Sequence, residues 1–159
     1  MTTSSEGSAD SLDAANAADS KHFQDMVQGL TMLANGIIPA DDRDAGAAAV
    51  DVGPRLAHRM RSGAGINVTL YADGLRRARE LASEMFGRRA AGDPPAGDLA
   101  PADVHALLER LRTDAPGFFK QLRMDVSALY LSDPAVLRRI GFPGPAIETG
   151  GYPDFDQQQ

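Results

Sequence analysis

The segment Asp41–Gly46 is the part of the sequence that most resembles a metal-binding loop, because it holds three aspartates and a glycine. A calcium-binding loop places oxygen ligands at alternate positions and closes with a glutamate at its twelfth position. Here the twelfth position is Val52 or Gly53, depending on which aspartate is counted first, and neither side chain offers an oxygen. We therefore interpret these aspartates as turn and cap residues that follow Pro39.

Other residue types that support catalysis or cofactor binding are sparse. The three histidines, His22, His58 and His105, are widely spaced and indicate neither a metal site nor a general base. The absence of cysteine excludes disulfides, thiolate zinc sites and iron–sulfur clusters. The glycine-rich segments 63–65 and 150–151 lack the preceding strand and the Lys-Ser/Thr pair of a phosphate-binding loop. We expect no catalytic residue, no metal and no cofactor on this chain.

The charge distribution argues against two classes of partner. The formal net charge is −6, from 16 basic and 22 acidic residues, and residues 1–20 hold four of the acidic residues and none of the basic ones. The nearly neutral remainder has no general attraction for nucleic acid. No run of 18 apolar residues exists, so we expect no direct membrane insertion. Residues 1–20 also lack the basic start and apolar stretch of a signal peptide, which favours a cytoplasmic protein.

Helical periodicity organises most of the chain. Apolar residues recur at helical spacing within 20–38, 47–61 and 66–86, again after Leu99, and from 116 to 131. The strongest pattern is 66–86, in which one face is apolar and the other carries arginine and glutamate. No stretch alternates with the period of a strand. The sequence predicts an all-α fold, with a single compact domain of about six helices over residues 21–141.

Both ends of the chain are predicted to differ from this domain. Residues 1–20 have one leucine and no aromatic residue, so we expect a disordered acidic tail, with Ser20 capping the first helix. At the other end, Asp133 can cap a short helix that starts at Pro134, carries Val136, Leu137 and Ile140 on one side, and ends at Gly141. The Pro/Gly content of residues 142–159 predicts an extended C-terminal tail.

The C-terminal tail carries aromatic residues that it cannot bury within itself. Phe142, Tyr152 and Phe155 lie among prolines and glycines. Because proline lowers the cost of ordering an extended segment, such a tail is suited to a groove on another protein. The alternative is that the tail folds back over the chain's own helices.

Several segments, taken in order, resemble the family called gluconate 2-dehydrogenase subunit 3. They are residues 33–42 (LANGIIPADD), 71–75 (YADGL), 118–119 (FF), 130–134 (YLSDP) and 140–145 (IGFPGP). The resemblance extends over about residues 25–153. Family members are small, non-catalytic partners of a large flavoprotein of the glucose-methanol-choline class, often with a cytochrome c as a third subunit. Many begin with a twin-arginine export signal, which this sequence lacks.

The resemblance implies an accessory subunit that binds and stabilises a large FAD-dependent alcohol or sugar oxidoreductase, with FAD on the large subunit. Together with the aromatic tail, it predicts a partner-binding surface near the C-terminus. The alternative is a free-standing helical binding or regulatory module without a flavoprotein partner. The candidate partner-binding residues are Tyr130, Asp133, Pro134, Phe142, Pro143, Tyr152 and Phe155.

Overall fold

The computed structural model describes residues 7–87 and 99–142. Within these ranges it contains six α-helices, one 3₁₀ helix and no strand, which confirms the predicted all-α fold. The α-helices are α1 (Gly7–Ile37), α2 (Val52–Ser62), α3 (Val68–Phe86), α4 (Pro101–Asp114), α5 (Pro116–Leu131) and α6 (Pro134–Arg139), and the 3₁₀ helix (Gly46–Val50) lies between α1 and α2.

The start of the first helix differs from the prediction. We expected disorder over residues 1–20 and a cap at Ser20, but α1 begins at Gly7 and runs without a break through that position. Residues 10–22 are exposed, so burial does not stabilise this part of the helix. The reasons are the alanine-rich sequence, since alanine has the highest helix propensity, and the packed turns after Phe23, which remove the cost of nucleation. Residues 1–6 lie outside the described ranges.

The core forms where α1 contacts α2, α3, α4 and α5. The face predicted for α3 is confirmed at Leu75 and Leu81, which are buried, whereas Met85 is 40% exposed. Met85 lies in the last turn of α3, where the next residue, Phe86, packs against the core in its place. The largest fully buried side chains are Tyr71, Phe118, Leu30, Leu33, Leu56, Leu81, Leu107, Leu111, Leu122, Val52, Val126 and Val136.

Helix ends follow local signals in the sequence. Pro101 and Pro116 occupy the first turns of α4 and α5, where no backbone N–H is needed. Gly87 ends α3 as predicted, with φ +66° and its N–H donating to the carbonyl of Ser83. The cap of α3 is Asn67, whose side-chain oxygen accepts the N–H of Leu70 at 3.0 Å. Among the helices of the described residues, none combines the length and the hydrophobicity that a membrane span requires.

Candidate functional site

The carboxylates of the loop between α1 and the 3₁₀ helix shape the loop itself. Asp41 Oδ1 accepts the backbone N–H groups of Arg43 and Asp44, both at 2.8 Å. Asp44 Oδ1 accepts the N–H of Gly46 at 3.1 Å, which leaves Oδ2 for a partner outside the loop. These bonds support the interpretation of the aspartates as turn residues. Among the described residues, no group of three potential ligands could hold a metal ion.

The same loop is joined to the C-terminal end of the body by an ion pair. Arg139, the last residue of α6, donates from Nη2 to Asp44 Oδ2 at 2.8 Å. The Asp44 side chain is only 15% exposed, so this pair is better shielded than most surface pairs. Arg139 Nη2 also lies 3.5 Å from the hydroxyl of Tyr130. The ion pair therefore holds the loop after the 33–42 motif against α6, the helix that begins at the end of the 130–134 motif.

The predicted helix restart at Asp133 is confirmed. Asp133 Oδ1 accepts the N–H of Ala135 at 2.8 Å and that of Val136 at 3.4 Å, while Pro134 occupies the first turn of α6. Gly141 has φ +74° and ends this region as predicted. The N–H of Phe142 then donates to the carbonyl of Leu137 at 2.9 Å. The chain therefore turns before α6, near Asp133, and again after it, at Gly141.

The second turn leaves large apolar side chains in solvent. Ile140 is 56% exposed and Phe142 is 53% exposed, while Val136 one turn earlier is buried. We grouped Ile140 with Val136 and Leu137 on one side of the helix, and that grouping is wrong for Ile140. Ile140 is the cap residue after the last residue of α6, and the packing that buries Val136 does not extend to it. Leu131, at the end of α5, is 48% exposed.

The predicted partner-binding residues divide into three groups. Phe142 and Pro134 are exposed, whereas Tyr130 and Asp133 are half-buried. Asp133 already serves as a helix cap. Pro143, Tyr152 and Phe155 lie outside the described residues. Leu131 and Met124, which are exposed on α5, were not identified from the sequence. Their positions outside the helical spacing of the buried residues of α5 could have indicated that they are exposed. We refer to Leu131, Ile140 and Phe142 together as the apolar C-terminal end.

Tyr71, from the 71–75 motif, forms a partly buried hydrogen bond that the sequence did not reveal. Its hydroxyl donates to Asp125 Oδ2 at 2.6 Å, and Gln121 Nε2 donates to both oxygens of that carboxylate at 3.1 Å. The ring of Phe118 meets the Tyr71 ring edge-on, with 5.5 Å between centroids. Burial raises the pKa of Tyr71, and the bond to Asp125 raises it further. Tyr71 therefore stays neutral and positions α3 against α5.

Arg77 anchors a second polar network, which lies between α3 and α4. Its guanidinium donates to Asp114 at 2.8 Å and to Glu80 at 3.1 Å. The bond to Asp114 is the largest cause that raises the pKa of Arg77 above its ordinary value. Since arginine is charged at any physiological pH, this network links α3 to the end of α4 without a titration role.

An open groove of about 690 Å³ separates part of α1 from α4. Its walls include Met32, Pro39, Leu99 and Val104, and His105 lies at its margin. Of the other histidines, His58 packs edge-on against Phe23 with 5.3 Å between ring centroids, which places it in a packing contact. The groove is mainly apolar and is suited to binding rather than to acid–base chemistry.

Fold and site together define a small all-α protein in which a turn-rich end displays apolar side chains. A protein-family model, gluconate 2-dehydrogenase subunit 3, matches residues 24–144, and the chain belongs to that family. No curated protein and no solved structure matches the chain significantly. The family match includes Phe142 and Pro143 but ends before Tyr152 and Phe155. By the family's name, its members are subunits of a dehydrogenase.

Proposed function

We propose that this chain is a non-catalytic accessory subunit that binds and stabilises a large FAD-dependent oxidoreductase of the glucose-methanol-choline type. The oxidation of an alcohol or sugar takes place on the large subunit, which carries the flavin. A cytochrome c is the candidate third subunit. Family membership supports a role within a dehydrogenase complex.

The observation that carries the proposal is where the exposed apolar side chains lie. The described residues contain seven large exposed apolar side chains, and four of them lie between residues 124 and 142. These four are Met124 and the three members of the apolar C-terminal end. Burying such side chains against another protein is favourable, so this segment of the chain is the candidate contact surface.

The arrangement around this end also favours a preformed surface. The ion pair between Asp44 and Arg139 ties α6 to the α1 loop, and the cap at Asp133 sets where α6 begins. Phe142 is held by its backbone bond to Leu137. A surface whose backbone is already ordered loses less entropy on association than a flexible one. We therefore propose Phe142 as the central anchor for the large subunit.

The test is co-expression of the chain with a large flavoprotein dehydrogenase, sought among the genes beside its own, followed by measurement of their affinity. Phe142→Ala should lower the affinity by about 2 kcal/mol, or roughly thirtyfold, if the ring is a central anchor. Its effect on the free energy of unfolding of the isolated chain should stay within about 0.5 kcal/mol, because the side chain is exposed. Val68→Ala, which truncates an exposed apolar side chain on α3, is the matched control.

Two outcomes would contradict the proposal. If the wild-type chain and the large subunit do not associate, the accessory role is wrong. If Phe142→Ala lowers the melting temperature strongly while binding is retained, Phe142 belongs to the chain's own core. The isolated chain is also expected to show no flavin absorbance and no dehydrogenase activity, which spectroscopy and a dye-reduction assay would check.

A second candidate function is a free-standing module that binds a small apolar ligand, and the groove between α1 and α4 favours it. A gene neighbourhood without a large flavoprotein, combined with ligand-dependent thermal stabilisation that Val104→Glu abolishes, would favour this function over the accessory role. Val104 lines the groove but is itself buried, so a second variant at the exposed His105, His105→Glu, separates loss of the ligand from loss of the fold.

A further inference from the structure

The outward face of α5 combines basic and apolar side chains. Phe119, Lys120, Arg123, Met124 and Ser127 line an open hollow of about 480 Å³, and we call these residues the basic α5 face. Met124 is 56% exposed, and Lys120 and Arg123 are also exposed. The face lies on the opposite side of the helix from the buried stripe that contains Phe118, Leu122, Val126 and Leu129.

The charge of this region is opposite to that of the whole chain. Residues 116–142 contain four basic and two acidic residues, whereas the full sequence contains 16 basic and 22 acidic residues. Both acidic residues in the region are already engaged: Asp125 accepts from Tyr71 and Gln121, and Asp133 caps α6. In the described part of the chain, no carboxylate forms an ion pair with Lys120 or Arg123. Their positive charge is therefore available to a partner.

We propose that the basic α5 face is a second docking surface, which receives an acidic segment of the large subunit. This inference rests on the proposed function and adds the chemistry of the contact. Carboxylates of the segment pair with Lys120 and Arg123, and an apolar side chain beside them covers Met124 and the half-buried Phe119. Leu131 lies seven residues after Met124 on α5, and therefore on the same side of that helix, so one partner can engage this face and Leu131 together.

A protein partner suits this face better than an anionic membrane. Lys120 and Arg123 place only two positive charges on this helix face, while the chain as a whole carries a net charge of −6 and would be repelled by a negative lipid surface. Two cations beside apolar side chains are complementary to a short protein segment that carries carboxylates next to an apolar side chain. Complementary charges of this kind raise the association rate and set the register of a contact.

The test reverses the charge of the face in the complete chain. The double variant Lys120→Glu/Arg123→Glu should lower affinity for the large subunit on the order of tenfold at low ionic strength and flatten its salt dependence. The matched control is Arg55→Glu/Arg79→Glu, which changes net charge equally at exposed positions on α2 and α3 and should leave affinity within about threefold. Met124→Ala should weaken binding more than Met85→Ala, its control on α3.

The outcomes separate this inference from the function on which it rests. If Phe142→Ala weakens binding while the double reversal leaves both affinity and salt dependence unchanged, the basic α5 face is not a docking surface and the accessory role stands. If the wild-type chain does not bind the large subunit, both proposals are overturned. If the reversal abolishes binding to vesicles of phosphatidylglycerol and phosphatidylcholine but spares the large subunit, the face recognises lipid, and the inference is wrong.

Discussion

At the scale of single residues, the hydroxyl of Tyr71 illustrates how a polar group is placed in this core. The side chain is fully buried, and its hydroxyl is satisfied by Asp125 at 2.6 Å. A buried hydroxyl without a partner would cost about 1–3 kcal/mol, so the pairing is a condition for burying this ring. Because the two residues lie 54 positions apart, the bond also holds α3 against α5.

Tyr71→Phe should lower the free energy of unfolding by about 1.5–3 kcal/mol, because it removes a hydrogen bond to a charged group and leaves Asp125 with Gln121 alone. Chemical denaturation of the isolated chain would measure this. Tyr130→Phe is the control. The Tyr130 hydroxyl makes a long, exposed contact of 3.5 Å with Arg139, so its removal should cost less than about 0.5 kcal/mol. Equal effects of the two variants would show that the Tyr71 hydroxyl does not stabilise the fold.

The same variant has a predicted pH dependence. Burial, with help from Asp125, raises the pKa of Tyr71 above the ordinary tyrosine value of about 10. With rising pH the unfolded chain therefore loses this proton before the folded chain does. The contribution of Tyr71 is complete below about pH 10 and falls above it, so the stability difference between wild type and Tyr71→Phe should shrink at alkaline pH. A difference that grows above pH 10 would contradict the assignment.

At the scale of helices, α3 approaches α5 closely because Gly74 has no side chain. A β-carbon at Gly74 would overlap the ring of Phe118, which Tyr71 holds edge-on. At Gly36 in α1, a β-carbon would lie 2.6 Å from Val104 Cγ1 of α4. The close approach of α1 and α4 therefore also depends on a glycine. The glycine of the 71–75 motif is thus explained by packing.

Gly74→Ala should lower the melting temperature, with a loss of about 1–3 kcal/mol from overpacking that exceeds the gain of about 1 kcal/mol in helix propensity. Gly29→Ala is a matched control inside α1, because its nearest neighbour beyond the helix is Leu75 Cδ2 at 3.9 Å. It should leave the melting temperature unchanged or raise it. A stabilised Gly74→Ala variant would mean that α3 and α5 are farther apart than the structure shows.

At the scale of the whole molecule, the first part of α1 lies outside the packed body. Residues 10–22 are exposed, whereas Leu30, Leu33 and Ala34 of the same helix are fully buried. Exposed turns at the end of a long helix are the first to fray, because they contribute backbone hydrogen bonds but little burial. The body and the proposed docking surfaces should therefore be independent of this segment.

Deleting residues 2–19 should leave the melting temperature and the affinity for the large subunit nearly unchanged. Far-UV circular dichroism should nonetheless lose the helical signal of residues 7–19, which separates the helix found in the structure from the disorder predicted from composition. A truncated chain that aggregates, or that no longer binds, would show that this segment packs against the body or the partner. An unchanged helical signal would restore the prediction of disorder.

Much of the fold was predictable because local interactions determine helix ends and faces. The all-α class, the restart at Asp133-Pro134 and the stop at Gly141 follow from residues within a few positions of each other, and the structure confirms them. The start of α1 was missed because low hydrophobicity was taken as disorder, although the alanines favour helix without burial. Of the aromatic residues that we predicted to contact a partner, Phe142 is the one that is exposed within the described residues.

The sequence by itself determined the all-α class, several helix ends such as Asp133 and Gly87, and the family, since these depend on residue types at short, regular spacing. Only the tertiary structure decided that Asp44 pairs with Arg139, that Tyr71 pairs with Asp125, and that Ile140 and Met124 remain exposed beside buried neighbours. The physical reason is that hydrophobic burial is not directional: periodicity shows which side chains share a face, but the helices packed against that face decide which of them lose contact with water.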